Sequence, residues 1–150
     1  MEQLIIEKFS YLTDQYIELI INLIDFCEEK KILPKKIIFF VPSIKKNLNE
    51  NKFEIIQNSL IHILENKEII LNFSLDSLEE DNNDNSINNL KNIYQLKKLI
   101  NNENELEIIN IIIEIKKNAK TLLIKGDITI IKDYIEIMIL ILEKIKVLFN

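Results

Sequence analysis

Side chains able to perform acid–base, nucleophilic or metal chemistry are scarce in this chain. It contains one histidine, His62, and one cysteine, Cys27. His62 lies between Ile61 and Ile63 on a predicted helix. No second ligand or proton-transfer partner stands near it at a suitable spacing. These neighbours predict a packed or half-exposed histidine rather than a catalytic base or a metal ligand.

Cys27 follows Phe26 and precedes two glutamates. Reactive thiols prefer electropositive surroundings, so this setting predicts a small buried hydrophobic side chain. A lone cysteine also cannot form an intrachain disulfide. Gly126 is the single glycine of the chain, which excludes the glycine-rich turns that hold phosphates.

The densest carboxylates are Glu79, Glu80, Asp81 and Asp84. A calcium loop starting at Asp81 would need glycine at its sixth position and glutamate at its twelfth, where this chain has serine and asparagine. The segment 79–89 therefore predicts a solvated acidic loop. We expect no catalytic, cofactor-binding or metal site, no cofactor, and no enzymatic activity.

Lysine pairs surround a short apolar run, Ile37–Val41. A hydrophobic run between basic flanks is a candidate docking site for another protein, although it could equally belong to the core. The candidate partner surface comprises six residues: Lys35, Lys36, Phe39, Phe40, Lys45 and Lys46.

The charge balance argues against nucleic acid as the partner. The formal net charge is −5, and all 19 basic residues are lysines. Arginine supplies the planar fork preferred for guanine and phosphate recognition, and acidic chains repel polyanions. We therefore expect a protein partner.

Apolar residues at three- and four-residue steps predict helices along most of the chain. The first is expected from about Glu2 to Lys31, with Pro34 beyond its end and Thr13-Asp14 as a point where it could break. Pro42 is expected to close the run Ile37–Val41, leaving a short helix or an extended connector, and Ser43 to cap a brief helix after it.

Further helices are expected at about 51–65, 87–100 and 103–120, with Gly126 ending this part of the chain. Asp127 is expected to be the N-cap of a last helix, Ile128–Phe149, whose apolar centre should lie in the middle of a bundle. The fold class is therefore all-α, a compact bundle of five or six helices around a hydrophobic C-terminal helix, forming a single domain over residues 1–150.

The longest uninterrupted apolar run, Ile137–Leu142, is far shorter than the roughly 20 residues that span a bilayer. Met1–Ser10 lacks the basic start and cleavage site of a signal peptide. We expect a soluble, intracellular protein that is not secreted.

Three segments, with the acidic loop between the second and third, resemble a functionally uncharacterised family of small helical proteins of large AT-rich DNA viruses. They are ILPKKIIFFVPSIKKNL, LENKEIILNFSLDSL and IIIEIKKNAKTL. The resemblance covers most of the chain and implies a location in the host cytoplasm or the virion. It assigns no site residue.

Three functions remain open. The first is a non-enzymatic structural or protein–protein interaction protein, with a viral or host protein as partner. The second is a Bcl-2-like helical modulator of a host response, although the tryptophan and arginine of that family's signature are absent. The third and weakest is an accessory subunit in nucleic-acid transactions. A homodimer is compatible with each.

Overall fold

The protein is all-α. The computed structural model describes residues 2–68, 70–71 and 102–149. In these ranges the chain forms five α-helices and one 3-10 turn, with no strand. The elements, in chain order, are α1 (Glu2–Glu29), α2 (Lys35–Glu50), α3 (Lys52–His62), the 3-10 turn (Leu64–Asn66), α4 (Asn102–Leu122) and α5 (Lys125–Leu148).

Helix α1 confirms the first predicted helix and runs unbroken through Thr13-Asp14. Its end is set by Lys31, which adopts the left-handed conformation with φ of 62°. The N–H of Ile32 donates to the carbonyl of Cys27 at 3.2 Å, and the N–H of Lys31 donates to that of Glu28 at 3.1 Å. This pair of bonds is a Schellman motif, which satisfies the last carbonyls of the helix.

Helix α2 corrects the prediction for the segment after Pro34. Pro42 does not close the apolar run, because the helix continues through it to Glu50. Proline lacks the N–H that would donate one turn back, and α2 accommodates this single lost bond in its interior. Ser43 is therefore an interior residue and not an N-cap.

One residue, Asn51, separates α2 from α3. Its N–H donates to the carbonyl of Asn47, and its own carbonyl accepts from Ile55, so it ends one helix and begins the next. The predicted helix at 51–65 is thus observed as α3 followed by the 3-10 turn. The predicted helix at 87–100 and the acidic loop at 79–89 lie outside the described residues.

Helices α4 and α5 are joined by Leu123 and Ile124. The prediction for this junction is wrong by about three residues. Ile124 is the N-cap of α5, Gly126 is its second residue, and Asp127 is its third. Asp127 caps from inside the helix instead, since its Oδ2 accepts the N–H of Ile124 at 3.2 Å.

The main core lies where α1, α2, α3 and α5 meet. Tyr16, Ile17, Ile56, Leu142 and Ile145 are almost wholly buried there. A smaller cluster of Ile32, Ala119 and Ile131 joins the end of α1 to α4 and α5. At the same place Asn118 of α4 donates to the carbonyl of Ile32 at 3.0 Å, which anchors the segment after α1.

The prediction that the apolar centre of α5 lies in the middle of a bundle is not confirmed, because this centre also has exposed apolar residues. Its face toward α1 and α3 is buried through Ile139, Leu142 and Ile145, whereas Ile137 and Leu140 are exposed. Among the described helices, none is long and apolar enough to cross a membrane.

Candidate interaction surface

Helix α2 has one buried face and one exposed face. Val41 and Leu48, seven residues apart, are buried, and Ile44 packs beside them against the main core. The 3.6-residue repeat of a helix shows which residues lie on the side opposite this buried face. Phe39 and Lys46 lie there, farthest from the core.

Five of the six predicted residues share this outward side. We call Lys35, Lys36, Phe39, Phe40 and Lys46 the α2 surface. All five are exposed. The side chain of Phe39 is 80% exposed and that of Phe40 is 47% exposed. Their rings meet edge to face with centroids 5.3 Å apart, so two aromatic rings stand together among lysines.

Lys45 does not belong to the α2 surface. It lies on the flank of α2 that faces α1, where its Nζ forms an ion pair with Asp25. That contact ties two helices together and neutralises the lysine. Lys46 forms a loose pair with Glu50 at 4.0 Å, with both side chains well exposed.

The charge of α2 is opposite to that of the whole chain. It carries four lysines and one glutamate, whereas the chain has 24 acidic residues against 19 basic ones. Because exposed charges interact over about 10 Å at ordinary salt, this local excess of positive charge favours acidic groups near the two phenylalanines.

His62 is the last residue of α3, half-buried, and its carbonyl accepts a hydrogen bond from Asn66 at 2.8 Å. Within the described part of the chain, histidine, cysteine and carboxylate side chains form no group of three or more that could hold a metal ion. Glu79, Glu80, Asp81 and Asp84 lie outside that part.

Cys27 is half-buried, beside the cluster of Ile32 and Ala119. Burial raises the pKa of its thiol from 9.0 to about 11, because the thiolate would lose hydration. The thiol is therefore protonated at neutral pH. This agrees with the predicted role as a small hydrophobic side chain.

A buried polar group lies between α1 and α3. Tyr16 is wholly buried and Ser59 is buried close to it. Burial raises the pKa of Tyr16, and Ser59 opposes this effect in part. Among the described residues, the hydroxyl of Tyr16 nevertheless has no well-formed hydrogen-bond partner, and neither does that of Thr13. Both hydroxyl oxygens are buried.

Two exposed apolar features were missed by the sequence analysis. The first is a stripe along α5 formed by Ile130, Ile137, Leu140 and Val147, which are 41–70% exposed. Steps of three and seven residues in the sequence could have revealed it, but the high isoleucine content hides inner and outer faces alike.

The second feature is a groove of about 260 Å³ where α1, α3 and the end of α5 meet. The ring of Phe9 packs edge to face on Phe53 and on Phe149, with centroids 5.7 and 5.3 Å apart. The remaining lining is Ile56, Gln57 and Leu60. Sequence spacing could not show it, because its residues come from three distant segments.

Comparison with family models, curated proteins and solved structures finds no match for this chain. The resemblance to small viral proteins thus stays a prediction, and the function has to be argued from the surfaces described above.

Proposed function

We propose that this chain is a non-enzymatic interaction protein whose α2 surface binds an acidic, apolar segment of another protein. The observation that carries this proposal is the exposure of Phe39. A phenylalanine that is 80% exposed, beside a second exposed ring, leaves a large apolar area in water.

The lysines determine which partner would fit. Lys35 lies one turn before Phe39, and Lys46 lies two turns after it on the same side of α2. A partner that places aspartate or glutamate around one or two apolar side chains would match both features. The apolar contact would supply most of the affinity, and the charges would supply orientation and association rate.

The test uses the purified chain as bait for a displayed library of random peptides. We expect enriched peptides that combine acidic residues with large apolar ones. Their binding should fall at least about tenfold in Phe39→Ala, since a buried aromatic contact contributes about 1.4 kcal/mol or more. Lys35→Glu should weaken binding more at low salt than at high salt, because salt screens exposed charges.

Tyr11→Ala is the matched control, because Tyr11 is another exposed aromatic residue on a helix, but it lies on α1. If the peptides bind Phe39→Ala as tightly as they bind the unmodified chain, the α2 surface is not their binding site. A second probe is a fluorescent single-stranded DNA of random sequence. Salt-dependent binding of this DNA that is lost in Lys35→Glu would instead assign the surface to nucleic acid.

A further inference from the structure

The exposed stripe of α5 follows the spacing of a coiled-coil seam. Adding the two polar residues that lie on it gives six positions in steps of three and four. These positions are Ile130, Asp133, Ile137, Leu140, Lys144 and Val147. All six are exposed, on the side of α5 that faces away from Ile139, Leu142 and Ile145. Alternating steps of three and four residues keep one line of side chains on the same side of a helix, where it can face a neighbouring helix.

This stripe is complementary to itself when two copies run antiparallel. About a two-fold axis between Met138 and Ile139, position 137 faces 140 of the other copy and 130 faces 147. Both are apolar pairs. The same operation brings Asp133 opposite Lys144, an acid opposite a base, twice in each dimer. A parallel pairing would instead place Asp133 opposite the second Asp133 and Lys144 opposite the second Lys144.

The two charged groups are available for such a contact. Within the described part of the chain, neither Asp133 nor Lys144 forms an ion pair. Both are exposed. Three neighbouring charges on α5 are already paired: Glu143 with Lys67 at 3.0 Å, and Lys132 with Glu136 at 3.9 Å.

The surface of α5 also has a concavity that could accept a side chain of the partner helix. A shallow concavity of about 340 Å³ is lined by Leu140, Glu143, Lys144 and Val147. The spacing i, i+3, i+4, i+7 is that of the four residues that form a hole for a knob in a coiled coil. In the antiparallel register, the side chain opposite this hole is Asp133 of the partner subunit.

We infer that the protein forms an antiparallel homodimer through α5, with Ile137 and Leu140 at the centre and Asp133–Lys144 pairs on either side. The seam is about 25 Å long, from the helical rise of about 1.5 Å over the residues from Ile130 to Val147. The interface is isologous, as in most homodimers. It does not include the α2 surface, which lies on a different helix.

The test is sedimentation equilibrium of the full chain at concentrations up to on the order of 100 µM. We expect the unmodified chain to be a dimer. Asp133→Lys alone and Lys144→Asp alone should each raise the dissociation constant at least about tenfold, because each single variant puts like charges at both contacts.

Two experiments that restore opposite charges at the contacts identify the register. The double variant Asp133→Lys/Lys144→Asp should dimerise again. An equimolar mixture of the two single variants should form a heterodimer, since one chain then carries lysine and the other aspartate at both positions. Lys146→Asp is the control, because it makes the same charge change on an exposed side of α5 outside the stripe. Circular dichroism checks that every variant is folded.

A monomeric unmodified chain that is fully helical would overturn the inference, and would leave the stripe to a different protein. Single variants that dimerise as well as the unmodified chain would overturn the antiparallel register. Failure of both restorations, with folded variants, would show that Asp133 and Lys144 do not face each other.

Discussion

Replacing Asp127 with alanine should reduce the stability of the fold, because this carboxylate joins the start of α5 to the end of α1. Its Oδ2 accepts the N–H of Ile124, and its Oδ1 lies 3.2 Å from the Nζ of Lys30. The side chain of Asp127 is 9% exposed and that of Lys30 is 35% exposed. The carboxylate also lies in the first turn of α5, where the helix dipole favours negative charge.

The magnitude follows from these three contacts. Loss of a capping bond costs about 1 kcal/mol, and loss of a partly exposed ion pair costs roughly 0.5–1 kcal/mol. Loss of the charge at the helix start costs about 0.5 kcal/mol. We therefore expect Asp127→Ala to lower the free energy of unfolding by about 2 kcal/mol, which lowers the Tm by roughly 4–8 °C for a chain of this size.

The assay is urea unfolding followed by circular dichroism, with the ion pair isolated by a double-mutant cycle. Asp127→Asn keeps an oxygen acceptor for Ile124 and should cost only about 1 kcal/mol. Lys30→Met keeps the aliphatic stem of the lysine, whose Nζ stands 5.6 Å from the centre of the Phe26 ring.

The cycle of Asp127→Asn with Lys30→Met should give a coupling of at least about 0.5 kcal/mol. An alanine variant within about 0.3 kcal/mol of the unmodified chain would refute the capping role. A coupling of zero would refute the ion pair alone.

Four further predictions concern two backbone positions, the core and the thiol. Lys31→Gly should raise the free energy of unfolding by about 1 kcal/mol in urea unfolding, because φ is 62° there. Gly126→Ala should raise it by roughly 0.5 kcal/mol, since a Cβ would meet nothing within 4 Å; a loss in either variant would contradict this reasoning. Leu142→Ala should cost about 2–5 kcal/mol, whereas Leu4→Ala, the same change at an exposed position, should cost less than about 1 kcal/mol; equal costs would contradict the assigned core. Alkylation of Cys27 by iodoacetamide should be on the order of a hundredfold slower at pH 8 in the native chain than in urea, because the raised pKa lowers the thiolate fraction by that factor. The native rate should keep rising up to about pH 11, and levelling off near pH 9 would contradict the burial of the thiol.

The sign of the thiol's contribution to stability follows from the same pKa. Between pH 9.0 and about 11 the unfolded thiol loses its proton while the folded one keeps it. The folded state then binds more protons, so stability falls as the pH rises through this window. Below pH 9.0 the contribution is fully present.

Local patterns in the sequence were sufficient for the all-α class and for α1. The apolar repeat from Phe9 to Phe26 predicts one long helix, and the end of α1 near Lys31 was placed within two residues. The same patterns were insufficient for α2, where proline suggested a boundary. A proline inside a helix costs about 3 kcal/mol. Burial of Val41, and packing of Ile44 and Leu48 in the main core, offset this cost, so the helix continues through Pro42.

The start of α5 shows a similar limit of local rules. Aspartate is favoured both as an N-cap and at the third helical residue, and sequence alone ranks the first use higher. Lys30 lies at the end of α1, about a hundred residues earlier in the chain. Its Nζ lies 3.2 Å from Oδ1 of Asp127, a partner on which rules for neighbouring residues have no bearing.

Composition and spacing by themselves determined that the chain is helical, poor in catalytic side chains, and basic around Lys35–Lys46. Which apolar residues are exposed was determined by the packing of the helices. In so isoleucine-rich a chain each helix has apolar residues on several sides, and only contact with a neighbouring helix removes one side from water. That packing separates Phe39 from Val41 on α2, and Leu140 from Leu142 on α5, although each pair is two residues apart.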